Sequence, residues 1–161
     1  MILTANTGRL QGDLAAFMTG IEKKLAKKVE DIVYFIDAKV HARTPVYTGQ
    51  AVRNMIWSTG TPSGSAKPAI TLPADPGHTS NMALGTEPRR AANAEAARAT
   101  LAALDFRDPF KLFILSNASP DMALIESGSA GLPGKSRAPA GVFAVTIAEV
   151  RSRLQSGAPL K

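Results

Sequence analysis

The residues with the clearest capacity for chemistry lie between 126 and 137. Gly128-Ser-Ala-Gly-Leu-Pro-Gly-Lys-Ser136 places glycines, a lysine and a serine in the order of a phosphate-cradling loop. That loop requires a glycine at the position of Ser129, and Gly128 stands one residue too early. It must also run straight into a helix whose first amides hold phosphate, whereas Ala138-Pro139 follows directly on Arg137. Nucleotide binding is therefore not expected. The only histidines, His41 and His78, are far apart and lack metal-ligand spacing, and no cysteine is present to complete a site. Gly128-Ser-Ala-Gly131 lacks the spacing of a serine nucleophile elbow. Glu126 has no acid or nucleophile near it in sequence, so its expected partner is an arginine or the backbone amides of a turn. No catalytic residue, cofactor or metal is expected, and the chain is not read as an enzyme.

The elements that would position these residues begin with a long helix from Asp13 to Arg43. Leu14, Met18, Ile21, Leu25, Val29, Ile32, Ile36 and Val40 recur at steps of three or four, which places them on one helical face. Asp13 is a candidate N-cap, and Pro45 forces the helix to stop by pushing Thr44 out of helical geometry. Such a rod is roughly 45 Å long, more than the roughly 40 Å expected across a compact chain of this size. Phe17, Val33 and Phe35 widen its stripe. Part of the stripe is thus expected to meet the chain's own sheet, and part a neighbouring subunit.

Beyond it, Thr48 is placed to cap a short helical turn at Gln50 to Asn54, and Met55 to Thr59 reads as a strand anchored by Trp57. Residues 60–68 form a loop, and Ala69 to Leu72 a second short strand. Glu87 to Leu104 is an alanine-rich helix with Thr86 as N-cap, with Ala91, Ala94, Ala97, Leu101 and Leu104 on one face. Phe110 to Leu115 is the clearest strand. Pro139 opens a last helix at about Ala140 to Leu154, whose Val142, Val145, Ile147 and Val150 are expected on the sheet. The fold class is α+β: long N-terminal and C-terminal helices on a small, mostly antiparallel sheet, with the alanine-rich helix added. A flexible arm at 1–12, one domain at 13–154 with an elaborated segment at 60–109, and a frayed tail at 155–161 complete the organisation.

With 161 residues the chain is long enough for one domain with a real core. The absence of cysteine excludes disulfides and thiol chemistry. Neither a secretory leader nor a membrane span is visible, so no membrane association is expected. A net charge of +6 favours a polyanionic neighbour such as DNA. Lys23, Lys24, Lys27 and Lys28 form a basic cluster within the long helix, which is either an ordinary solvated face or a DNA-facing one.

Three segments together resemble a family of tailed-bacteriophage neck and tail proteins, the tail-component or tail-completion proteins of lambdoid phages. Arg43-Thr-Pro-Val-Tyr-Thr-Gly49 after a long helix, with Asn54 and Trp57 following, is similar to the family's TPVDTG turn and downstream Asn-Trp. Asn117 through Met122-Ala123 to Glu126-Ser-Gly128 resembles a strand followed by N-x-x-x-YA-x-x-x-E-x-G. Arg137-Ala-Pro-Ala-Gly-Val-Phe-Ala-Val-Thr-Ile-Ala-Glu149 resembles the APAGM-x-x-x-T-x-x-E helix entry. Tyr47 stands where the family has Asp, Met122 where it has Tyr, and Met55-Ile56 separate Asn54 from Trp57.

The resemblance implies structural roles for Thr44, Pro45, Thr48, Gly49, Asn54, Trp57, Asn117, Glu126, Gly128, Ala138, Pro139 and Gly141. It also implies a virion protein made in the host bacterial cytoplasm: a homo-oligomeric ring, a hexamer by family habit, that completes the tail and joins it to the head of a siphophage. Its partners would be the tail tube or terminator, the head-tail connector proteins and, transiently and without sequence preference, double-stranded DNA. Lys23, Lys24, Lys27, Lys28, Lys135 and Arg137 would then be candidates for the DNA channel. Two alternatives stay open: a connector protein beside the portal and, in a different class, a free basic DNA-binding protein.

Overall fold

The computed structural model describes residues 7–44, 49–70, 86–127 and 141–160. Their order is α1 (Thr7–Arg43), α2 (Gln50–Arg53), β1 (Ile56–Thr59), α3 (Thr86–Ala102), β2 (Phe113–Ser116), α4 (Met122–Glu126) and α5 (Val142–Ser156). The architecture is α+β, helix-rich around one two-stranded antiparallel sheet.

Helix α1 has 37 residues, and at its rise per residue it is about 55 Å long. It starts at Thr7 rather than Asp13, so residues 7–12, expected in a flexible arm, are helical. Gly8 and Gly12 weaken the helix without ending it, since glycine keeps its N–H, and a capping-type residue within a helical run does not end it either. The far end behaves as Pro45 dictates. Thr44 closes the last turn by returning its amide to the Val40 carbonyl at 3.0 Å and donating its hydroxyl to the same oxygen at 2.7 Å.

Val33, Phe35 and Val40 on the second half of α1 are buried, whereas Leu10, Leu14, Phe17 and Met18 on the first half are each more than half exposed. Only the second half belongs to the core. There Val40 packs with Ala51, Met55, Ala97, Met122, Ile125 and Val142, while Val33 packs with Trp57 and Leu101.

The strands β1 and β2 pair from Ile56 opposite Ser116 to Thr59 opposite Phe113. The second strand starts at Phe113 rather than Phe110, which is 77% exposed. Asp108 accounts for this: its carboxylate accepts the Phe110 amide at 3.0 Å and its carbonyl accepts the Lys111 amide, so the chain turns here instead of extending. The strand expected at Ala69 to Leu72 is absent from its described part. Residues 69 and 70 have no strand partner, and the buried Asn93 side chain accepts the Ile70 amide at 2.8 Å and donates to its carbonyl at 3.1 Å.

Two further helices differ in detail from expectation. Thr86 is the first residue of α3 rather than its N-cap, and Ala91 is exposed while Ala94, Ala97 and Leu101 are buried. Helix α5 makes most of its contacts with α1 and α4, and Val142 joins the core cluster on which Leu115 of the sheet also packs. Val142 and Val150 are buried, but Val145 and Ile147 point outward. Helix α5 also continues through Gln155 and Ser156, which were expected in the frayed tail.

Candidate functional site

The densest polar constellation sits where α1 enters the core. Asp37, only 3% exposed, accepts the indole N–H of Trp57 at 3.0 Å on Oδ1. Its Oδ2 faces Nε of Arg98 at 3.3 Å. His41, one turn on, places Nδ1 at 2.9 Å from the Asp37 carbonyl and at 3.3 Å from Oδ1. Both neighbours of that nitrogen are acceptors, so it carries the proton. Nε2 of His41 is enclosed with no partner among the described residues.

Burial pushes the Asp37 carboxyl up. The His41 ring, the Trp57 indole and the Arg98 guanidinium outweigh that and hold it below the usual carboxylate range. A shallow groove of about 330 Å³ lies over the cluster, lined by Tyr34, Asp37, Ala38, Arg98, Leu101 and Ala102. A general base must reach a substrate proton, and a ring 3% exposed with its free nitrogen enclosed is poorly placed for that. The arrangement suits orientation: it locks α1, β1 and α3 to one another.

A second network ties α1 to α5. Arg43 donates to the Thr146 hydroxyl at 2.8 Å and to Glu149 Oε2 at 2.6 Å. Arg153 and Lys39 approach the other Glu149 oxygen at 3.1 and 3.6 Å. Arg43 is the main reason that the Glu149 carboxyl lies below its ordinary range, with Lys39 and Arg153 adding to it. Arg90 of α3 donates to the His41 and Thr44 carbonyls at 2.7 and 3.1 Å, which satisfies acceptors left open at the end of α1.

Glu126 has the partner expected of it, the backbone amides of a turn. Its two oxygens accept the amides of Phe143 and Ala144, each at 3.0 Å, in the first turn of α5. The residue at the N-cap position, Gly141, has no side chain to do this and sits at φ +83. A Cβ there would come 3.0 Å from that of Ala144 and 3.6 Å from Glu126 Oε1. Glycine is therefore favoured by the left-handed backbone and by the close approach of the Ala144 Cβ, while the carboxylate lies at ordinary contact distance.

The other motif residues are likewise fasteners. Asn54, fully buried, donates to the Gln50 and Lys67 carbonyls, each at 2.8 Å, and accepts the Lys67 amide at 2.7 Å. It thereby pins the 60–70 loop to α2. Asn117 donates to the Ala51 carbonyl at 2.8 Å and accepts the Ser119 amide at 2.9 Å. Gly49 is the N-cap residue of α2 at φ 86, while Thr48, expected to cap this turn, and Pro45 lie outside the described residues. So do His78, Gly128, Lys135, Arg137, Ala138 and Pro139. Lys23, Lys24, Lys27 and Lys28 are all exposed on α1, and Lys27 reaches Glu30 at 3.1 Å and Asp31 at 2.9 Å. The structure does not bring these lysines together with the motif residues, which surround the core half of the helix.

Sequence reasoning missed Asp37, Asn93, Arg43 and Glu149 as partners. A carboxylate one turn before a histidine in an otherwise apolar stripe was the available signal for the first.

Replacing Asn54 with alanine is expected to cost about 1–3 kcal/mol, because a fully buried side chain and its three part-buried hydrogen bonds are lost. Glu126→Ala is expected to cost about 1–2 kcal/mol as a lost helix cap. Urea denaturation followed by circular dichroism reads both, and an unchanged midpoint in either variant removes the role given to that side chain. No protein-family model, curated protein or solved structure matches the chain. Among the described residues, no helix is long and apolar enough to cross a membrane.

Proposed function

We propose that this chain is a structural protein of a tailed-phage or prophage virion. In this reading it forms a ring in the neck or upper tail that completes the tail and joins it to the head, with DNA passing through. The observation that carries the proposal is the division of α1. Half of a 37-residue helix builds the core, and the other half projects an apolar stripe that the described part of the chain does not cover. Monomeric proteins rarely leave so continuous a patch in water, so neighbouring subunits are its natural occupants. Side chains at the motif positions that act as fasteners rather than as reactive groups fit the same reading, as does the resemblance of three segments to tail-completion proteins. A ring requires head-to-tail contacts that close. The net charge of +6 suits a wall beside DNA.

Light scattering on a sizing column, with imaging of large species, tests the ring: a closed assembly of about six copies is expected, alone or on a tail template. Reversing the charge of Lys23, Lys24, Lys27 and Lys28 tests the channel. DNA delivery is expected to fall at least tenfold with assembly unchanged, and undiminished delivery would remove these lysines from the channel. The positive charge also supports the rival reading, a free DNA-binding protein. A monomer that binds duplex DNA with steep salt dependence would favour that rival over the ring.

A further inference from the structure

The half of α1 that the described residues leave uncovered has a pattern of its own. Gln11, Leu14, Met18, Ile21, Leu25 and Lys28 follow steps of three and four, the seam of a two-helix coiled coil. All six are exposed, and Leu14, Met18, Ile21 and Leu25 are 56, 54, 48 and 37% accessible. Read from either end, the seam is the same: one polar residue, four apolar ones, one polar residue.

We infer that, before assembly, two copies of this chain pair through this half of α1 as an antiparallel helix dimer, with the two-fold axis between Thr19 and Gly20. About that axis Leu14 faces Leu25 of the second copy and Met18 faces Ile21. Gln11 comes level with Lys28, so each end of the seam closes on a polar pair. A parallel pair would instead set Lys28 against Lys28 in a seam layer, two like charges at close range. The antiparallel one gives each lysine an amide. Leu10 and Phe17 share one flank of the seam with Lys24, and the antiparallel arrangement lays Phe17 along the aliphatic stem of the second copy's Lys24. At the outer limit Leu10 comes level with Val29, where the helix enters the core of the other copy. The uncovered length of each helix is therefore matched by the uncovered length of its mate.

A helix pair about 30 Å long lies at the small end of stable protein interfaces, so the expected dissociation constant is in the micromolar range. A two-fold contact of this kind closes on itself and cannot propagate around a ring. Where the ring reading holds, the dimer is the unassembled form, which keeps the stripe out of water until a neighbour in the assembly replaces the second copy. This inference uses the same exposed stripe as the ring reading, but it concerns a different contact and stands or falls by itself.

The chain contains no cysteine, so a single Lys27→Cys substitution, beside the seam and not in it, accepts one spin label per copy. Sedimentation of the unsubstituted protein is expected to show a monomer–dimer equilibrium. The two labels in the dimer are expected roughly 25 Å apart from the rise of the helices, whereas a parallel pair would bring them to about 10 Å. Met18→Glu and Ile21→Glu, both outside the core, are each expected to weaken the dimer at least tenfold while the circular dichroism of the domain persists. A protein that stays monomeric at all concentrations overturns the inference, as does a dimer indifferent to both substitutions or one with labels at the parallel distance. Monomers that bind anionic phosphatidylglycerol vesicles through the same residues also overturn it, in favour of a membrane surface. A ring lacking the 25 Å distance at every stage of assembly sinks the pair and leaves the ring reading intact, while a dimer that never forms rings does the reverse.

Discussion

Trp57→Ala is expected to destabilise the fold by about 3–5 kcal/mol. Two effects combine. The indole packs with Val33 and Leu101 in the core cluster that joins α1, β1 and α3, and its removal leaves a cavity where those elements meet. Its N–H is also one of the donors that make a buried carboxylate at position 37 tolerable. Trp57→Phe separates the two, since it keeps most of the packing and loses the donor; about 1–3 kcal/mol is expected. Urea unfolding monitored by far-ultraviolet circular dichroism is the appropriate measurement, because Trp57 is the only tryptophan and fluorescence disappears with it. A phenylalanine variant as stable as the parent would show that the indole acts by volume alone.

Asp37→Ala is expected to cost a similar amount, about 3–5 kcal/mol, because it strands the Trp57 indole N–H and leaves His41 and Arg98 without their carboxylate. The pH dependence gives a sharper signature than the magnitude. Asp37 has a folded pKa below its unfolded value, so its contribution is fully present above the unfolded pKa of about 3.9 and is lost as pH falls through the folded pKa. Asp37→Asn removes that titration while keeping an oxygen for the indole. The variant is therefore expected to be less stable than the parent at neutral pH, with the gap closing on acidification below about pH 4. Glu149 is shifted in the same direction and remains in both proteins, so some acid sensitivity persists. Parallel stability curves for parent and variant between neutral pH and about pH 3 would show that Asp37 ionisation is not linked to folding.

Much of this fold is legible in the chain because local signals and tertiary demands agree. Pro45 ends α1 where its covalent geometry requires, and Trp57 anchors the strand that its neighbours favour. Periodicity located the face of α1 but not the change of environment along it: Leu14 and Val40 share one spacing pattern, yet the first is 56% exposed and the second is inaccessible. Repetition of residue type carries no information about what lies opposite. Asp13 misled because the helix runs on through Gly12 and Gly8, which lower its local stability without ending it, so a capping residue stands inside it. Of the candidate site, the capping role of Glu126 could be read as a type of interaction, though its partners, 17 and 18 residues away, could not. Asp37 and Asn93 stayed hidden for a related reason. Their partners, Trp57 and Ile70, are brought to them only by the packing of other elements.

The grip of Glu126 on the first turn of α5 couples the fraying of one helix to the stability of another. Because the two amides are held from α4 and not from a residue of α5 itself, the start of α5 is registered by Glu126. Loosening α4 therefore releases the first turn of α5 with it, and hydrogen exchange at the Phe143 and Ala144 amides reports on the integrity of α4.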